Sequence, residues 1–256
     1  MWADMQNIAI EPNTGLFSQG SVLREPIFYG GESAYDFQYL DFAPDKYSTD
    51  NTWLITNTGF TIEQAQEVIR NIIECHKTKF INHFEDLKNM HPDTWTMLPA
   101  FIFTLEDLTK HLNIDRAIIK KVLLAFSLTS QCINKEFITL SDFNITNACP
   151  LLALGDKKYL LFQHYSRVES LYESPFYWMN NDKKYLAEAS KNRGDFVENF
   201  SANKLKRVFG EKKVFMNLDI YDPSRPKVGD KGEIDVLVVF GNRAIILQAK
   251  SKRRIH

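Results

Sequence analysis

The sequence predicts an α+β fold in two parts: a mixed, mainly helical region over residues 1–190 and a small α/β module over 191–256. Three observations carry this prediction. A capping-box tetrapeptide, Thr61-Ile62-Glu63-Gln64, opens a long stretch with apolar residues at helical spacing. Residues 104–127 hold two short helical patterns joined by a polar turn. Near the end, EIDVLVVFGNRAIILQAK (233–250) places two β-branched runs on either side of Gly241-Asn242, which reads as strand, tight turn and strand.

Residues 1–60 are rich in aromatics and are punctuated by Pro12, Gly15, Gly30-Gly31 and Pro44. EPIFYGGESAYDFQYLDFAP therefore predicts short strands and irregular loops. The helix opened by Thr61 runs to about Met90, with Ile62, Ala65, Val68, Ile69, Ile72, Ile73, Phe80, Phe84 and Leu87 on its apolar stripe. His76 and His83 on this helix lie seven residues apart, too far for a metal pair, and read as ordinary histidines. His91-Pro92 ends it.

Thr104 then caps a short helix, LEDLTKHL. Asn113-Ile114-Asp115 makes the turn, and Arg116 starts a second helix, RAIIKKVLLAF. Leu105, Leu108, Leu112, Ile114, Ile118 and Val122 have the spacing of a helix-turn-helix. The segment resembles the winged-helix class, with FITL and LLALGDKKYLLF as material for a wing. Thr109 and Asn113 stand where that class commonly has Ala and Gly. In a DNA-reading unit Arg116, Lys120 and Lys121 would face phosphates or base edges. A plain αα-hairpin packed in a helical domain accounts for the same spacing.

Residues 150–164 predict a hairpin turning at Gly155-Asp156, and SRVESLYESPFYWMNND reads as an aromatic connection around Pro175. Asp182 begins a short helix, DKKYLAEAS. Arg193-Gly194 opens the last module, with a helix from about Asp195 to Phe209 that Gly210 ends. KVFMNLDIY alternates as a strand, DPSRPKVGDKGE is a polar loop, and the hairpin follows.

With Gly241-Asn242 as a two-residue turn, Phe240 faces Arg243, and counting back sets Asp235 opposite Gln248 and Glu233 opposite Lys250. Side chains two apart share a face, so these four polar groups would cluster at one end of an apolar ribbon. Polar groups on buried strands carry a large desolvation cost unless they find partners. A divalent-metal site with a lysine beside it satisfies them, because Mg²⁺ prefers oxygen ligands. A structural Asp235–Lys250 ion pair is the plainer alternative.

GEIDV…LQAK, with the upstream helix RGDFVENF, resembles the PD-(D/E)XK nuclease superfamily, in the Mrr-like restriction-endonuclease variant with Q-x-K. The resemblance covers about residues 193–254, and its motifs are short. It implies a partial α/β restriction-endonuclease-like core and metal-dependent cleavage of phosphodiester bonds, in DNA, in a bacterial restriction or antiviral-defence setting. By the resemblance Asp235 binds the metal, Gln248 stands in for the second acid, Lys250 is the catalytic lysine and Glu198 is the acid of the first core helix. The expected metal ligands for Mg²⁺ or Mn²⁺ are Asp235, Gln248 and the carbonyl of Ala249, helped by Glu233 or Glu198. A neutral amide such as Gln248 holds a divalent cation less tightly than a carboxylate. The same fold without a working site would serve as a non-catalytic nucleic-acid-binding regulator or a protein-interaction subunit.

The net charge of -1 hides an asymmetry: residues 191–256 carry about 15 Lys/Arg against about 8 Asp/Glu. A basic segment around an acidic cluster suits a polyanion. Cys75, Cys132 and Cys149 show no CxxC or zinc spacing and read as buried thiols in a reducing compartment. No apolar run approaches a membrane span, and MWADMQNIAIEP does not read as a signal peptide, so the expected location is cytoplasmic. After Lys250 only SKRRIH remains, whereas the superfamily core continues with a helix and a strand. The expectation is a truncated chain, or a second copy or partner protein that completes the sheet.

Overall fold

The computed structural model describes residues 35–128, 138–139, 144–161, 166–220 and 232–249. It is an α+β structure with one four-stranded and one three-stranded sheet.

The first described helix, α1 (Asp36–Tyr47), occupies a stretch where the sequence predicts strands and loops. Its buried apolar residues Tyr39, Leu40, Ala43 and Tyr47 lie on one helical stripe. Pro44 sits inside the helix and removes the N–H that would reach the Leu40 carbonyl. Gln66 replaces it, donating from Nε2 to that oxygen at 2.8 Å. A helix α2 (Asn51–Asn57) follows. Between them Asp50, 2% exposed, accepts from Tyr185 Oη and Asn192 Nδ2, both at 2.7 Å.

Helix α3 (Ile62–Leu87) opens with the predicted capping box: Gln64 N–H donates to Thr61 Oγ1 and Thr61 N–H to Gln64 Oε1. Then come β1 (Ile102–Thr104), α4 (Leu105–Thr109), α5 (Arg116–Ala125) and β2 (Ser127–Leu128). Thr104 caps α4 with Asp107 reciprocating, and Asp115 caps α5 by accepting from Ala117 N–H at 2.6 Å. Strands β3 (Leu151–Gly155) and β4 (Lys158–Leu161) form a hairpin whose turn residues Asp156 and Lys157 have φ of 48° and 60°. That turn lies one residue beyond the predicted Gly155-Asp156. The sheet order is β1-β4-β3-β2; β4 is antiparallel to both β1 and β3, and β2 is parallel to β3. Phe137 and Leu140 of FITL lie outside the described residues.

Residues 166–180, read from the sequence as a connection, form helix α6 (Ser166–Asn180) with Pro175 inside it. Val168, Leu171, Ser174 and Met179 make its buried stripe, and that burial overrides the proline. Helix α7 (Leu186–Phe209) runs unbroken through Arg193-Gly194, where the sequence predicts a new start, and the 190/191 division falls inside it. An interior glycine costs about 1 kcal/mol, and packing on both sides of α7 offsets this. Phe200 meets Phe42 of α1 edge-on at 4.8 Å on one side. Ala202, Leu205 and Phe209 pack against Val214, Val236 and Val238 on the other. Gly210 ends the helix at φ 89°.

Strands β5 (Val214–Ile220), β6 (Gly232–Phe240) and β7 (Arg243–Leu247) make an antiparallel sheet in the order β5-β6-β7. Phe240 pairs with Arg243, as the two-residue turn requires. Cys75 and Cys149 are half-buried rather than fully buried; Cys132 lies outside the described residues. Among the described residues no helix is long and apolar enough to cross a membrane.

Candidate functional site

The sheet-facing stripe of α7 fixes one wall of the site. Glu198 lies four residues before Ala202 and so continues the stripe of Ala202, Leu205 and Phe209. Phe196 and Phe200 turn the other way: their rings meet at 5.6 Å, and Phe200 packs on Phe42 of α1. The Asp50 hydrogen bond to Asn192 ties the first half of this helix to the helical body. Glu198 is half-buried, and its carboxyl is pushed up, first by desolvation and then by the charges of Asp235, Asp195 and Glu233. The helix acid and the strand acids therefore feel one another.

Strand β6 supplies Asp235, which is 7% exposed. The β6–β7 ladder closes at Val236 opposite Leu247, and its register continued one step makes Asp235 level with Gln248, as the sequence predicts. There the chain leaves the ladder and wraps the carboxylate. Gln248 Nε2 donates to Asp235 Oδ1 at 2.8 Å and to the Glu233 carbonyl at 3.1 Å. Ala249 N–H donates to Asp235 Oδ2 at 2.5 Å. Both oxygens of a buried carboxylate thus carry a donor, which compensates its desolvation. On β5, Asn217 is level with Asp235, between the pairs Met216–Val236 and Leu218–Ile234. It has φ of 52°, a left-handed conformation that Asn tolerates better than most residues. Asp219 lies opposite Glu233 and adds a carboxylate at this end of the sheet.

Asp235, Gln248, Ala249, Glu233 and Glu198 therefore gather at one end of the module. Lys250 lies outside the described residues, as does most of the polar loop before β6. Ala249 turns its N–H to Asp235; the sequence reading assigned its carbonyl a ligand role. The gathered oxygens are hard donors of the kind Mg²⁺ and Mn²⁺ take. Among the described residues no three His, Cys, Asp or Glu side chains converge closely enough to hold a metal ion.

The second predicted site, on α5, is partly committed to its own surroundings. The Arg116 guanidinium pairs with Glu106, whose carboxylate also has Lys157 Nζ at 4.0 Å. That hydrogen bond with Arg116 is the main reason Glu106 is held below the usual carboxylate range. Lys121 lies across Gly59, where an added Cβ would fall 2.5 Å from Nζ. Gly59 has φ of 81°, and it is this left-handed backbone that calls for glycine, since the flexible end of Lys121 can move aside. Lys120 is exposed.

The sequence reading missed a third cluster. Lys46 is 3% exposed, donates to the Tyr172 carbonyl at 2.8 Å and sits 3.5 Å from the centre of the Tyr172 ring. Tyr47 Oη donates to the same carbonyl at 2.7 Å. No family model matches the chain, and no curated protein or solved structure matches it.

Proposed function

We propose that the protein is a metal-dependent nuclease that hydrolyses phosphodiester bonds of DNA. The observation that carries this reading is the convergence on Asp235 of Gln248 and Ala249, with Glu198 of α7 and Glu233 at the same end of the sheet. The spacing and order match the motifs that resemble the PD-(D/E)XK superfamily. Asp235 and Glu198, with the amide oxygen of Gln248, are the groups that would hold Mg²⁺ or Mn²⁺. Such an ion, when bound, lowers the pKa of a bound water and neutralises charge on the phosphate. Gln248 holds Asp235 in place, and a bound dication would draw down the pKa of Glu198 that burial and Asp235 raise, which suits it to a ligand role. Lys250, two residues past Gln248, is assigned the stabilisation of developing negative charge.

DNA binding is assigned to the helical body. The order α3-β1-α4-α5-β2-β3-β4, with β1 at the edge against β4, supports a winged-helix reading in which the β3–β4 hairpin is the wing and β2 a fourth strand. Lys120 then reaches phosphate directly, while Arg116 must first part from Glu106. On the three-stranded sheet Phe215, Val239 and Ile246 are exposed on one face, which would suit a second copy or a partner protein.

One observation favours a second reading, a non-catalytic nucleic-acid-binding regulator: neutral donors already satisfy both Asp235 oxygens without a cation. Cleavage of plasmid and oligonucleotide DNA with Mg²⁺ or Mn²⁺ separates the two. Cleavage that falls by about 100-fold or more in Lys250→Ala, with metal-free DNA affinity little changed, supports the nuclease. Salt-dependent DNA binding with no cleavage supports the regulator.

A further inference from the structure

A cavity of about 430 Å³ lies between α1 and α7, away from the sheet. That volume is within the range of small-molecule sites. Its chemistry is one-sided. Asp45 and Asp195 contribute carboxylates, and Asn192 and Asn199 contribute amides. Both amides have their nitrogen ends engaged: Asn192 Nδ2 donates to Asp50 Oδ1 and Asn199 Nδ2 to the Asp195 carbonyl, each at 2.7 Å. Their oxygen ends are then the ends turned from those partners. Phe196 and Phe200 add aromatic surface to the lining.

The one lysine in the lining does not neutralise this surface. The ammonium of Lys46 is drawn to α6, to the Tyr172 carbonyl at 2.8 Å, with the Glu173 carboxylate at 3.9 Å. Burial lowers its pKa to about 7, which further weakens it as a counter-charge. An anion is therefore a poor occupant, because two carboxylates would repel it. A cation rich in N–H donors is a good one. Lys204 Nζ already lies 4.9 Å from the centre of the Phe200 ring, so Phe196 is the ring left to a second cation.

We infer that this cavity binds a guanidinium group, with its planar face on Phe196 and its N–H edge toward Asp45, Asp195 and the amide oxygens. A guanidinium suits the site better than an ammonium. It is planar, presents five N–H donors in a fixed fork, stacks on rings and gives up its hydration more easily. The remaining volume accommodates an alkyl stem. The inference does not depend on the nuclease reading, since neither DNA nor a metal enters it.

Calorimetry on the full chain, without metal, tests it with two probes that share one stem, butylguanidine and butylamine. The guanidinium is expected to bind about tenfold more tightly. Asp45→Asn with Asp195→Asn should weaken it by about tenfold or more. Phe196→Leu, which leaves the carboxylates in place, should weaken it by about threefold, and covers the case in which the double variant melts early. Equal affinity for the two probes, no saturable binding, or unchanged affinity in a folded variant overturns the inference. A capped Gly-Arg-Gly peptide identifies the source: binding as tight as that of butylguanidine points to an arginine side chain, whereas exclusion of the peptide with retention of butylguanidine points to a free small molecule.

Discussion

Burying Lys46 should make the stability of this protein rise with pH. The side chain is 3% exposed, and desolvation lowers its pKa from 10.5 to about 7, with the Glu173 charge opposing and Arg193 adding to the drop. In the unfolded chain the amine keeps its ordinary value. Between about pH 7 and 10.5 the unfolded state then binds more protons than the folded one, and stability climbs with pH. Below pH 7 both states are protonated and the slope vanishes. One pKa unit is about 1.4 kcal/mol, and integration from pH 7 to 9.5 gives a gain of about 3 kcal/mol from this residue alone. Above pH 10 the sign reverses. Burial pushes Tyr47 and Tyr172 up, Tyr172 to about 12, so the unfolded tyrosines lose their protons first. Urea unfolding of the wild type and Lys46→Met from pH 6.5 to 9.5 isolates the effect, because the other titrating groups are common to both. Methionine keeps the stem and removes the charge, and Tyr47 still donates to the Tyr172 carbonyl. The variant's profile should be flatter by about 3 kcal/mol over the window, and at pH 7 it should be no less stable than the wild type. Parallel profiles would refute the argument.

Removing the Gln66 side-chain amide by Gln66→Met should cost about 1–2 kcal/mol in thermal melts, because it orphans the Leu40 carbonyl that Pro44 already leaves without its helical donor; an unchanged melting temperature would mean that water replaces the amide. Gln248→Glu should tighten Mn²⁺ binding in calorimetry by adding charge at a ligand position, and should destabilise the metal-free protein by setting a carboxylate against Asp235. Equal Mn²⁺ affinity in wild type and Asp235→Ala would remove Asp235 from the metal site. If α5 reads DNA, Arg116→Ala with Lys120→Ala should weaken binding and reduce the salt slope by about one to two units; unchanged affinity would favour a scaffold role for α4 and α5.

The elements legible in the sequence are those whose signals are local. The capping box at Thr61, the Thr104 cap, the helix start at Arg116, the Gly210 stop and the Gly241-Asn242 turn each act within a few residues, and each appears at its predicted place. Prolines and glycines misled where distant partners compensate for them. Pro44 reads as a breaker, yet Gln66, 22 positions away, supplies the missing donor. Pro175 sits in a helix whose neighbouring Tyr172 carbonyl takes donors from Lys46 and Tyr47 across more than 120 positions. Gly194 reads as a boundary, but α7 is held on one side by α1 and on the other by the second sheet. No window of local sequence contains those contacts.

The site divides along the same line. A two-residue turn fixes the register, and strict alternation then fixes which polar residues meet, so Asp235 opposite Gln248 follows from counting. What counting cannot supply is the chain's departure from the ladder after Leu247, which brings Ala249 N–H rather than its carbonyl to Asp235. Nor does it supply Asn217, whose left-handed backbone lies across from Asp235 in the middle of β5. Such a conformation in a strand interior costs about 1–3 kcal/mol and persists only where its surroundings hold it. Asn217 is level with the buried Asp235 in the strand ladder, so its backbone conformation bears on where that carboxylate sits. Asn217→Gly would relieve the strain and leave Asp235 in place, whereas a β-branched Asn217→Val could not adopt the left-handed backbone and should disturb Asp235. The amide protection of Ala249 in hydrogen exchange, which depends on Asp235 staying in place, should survive the first change and fall in the second.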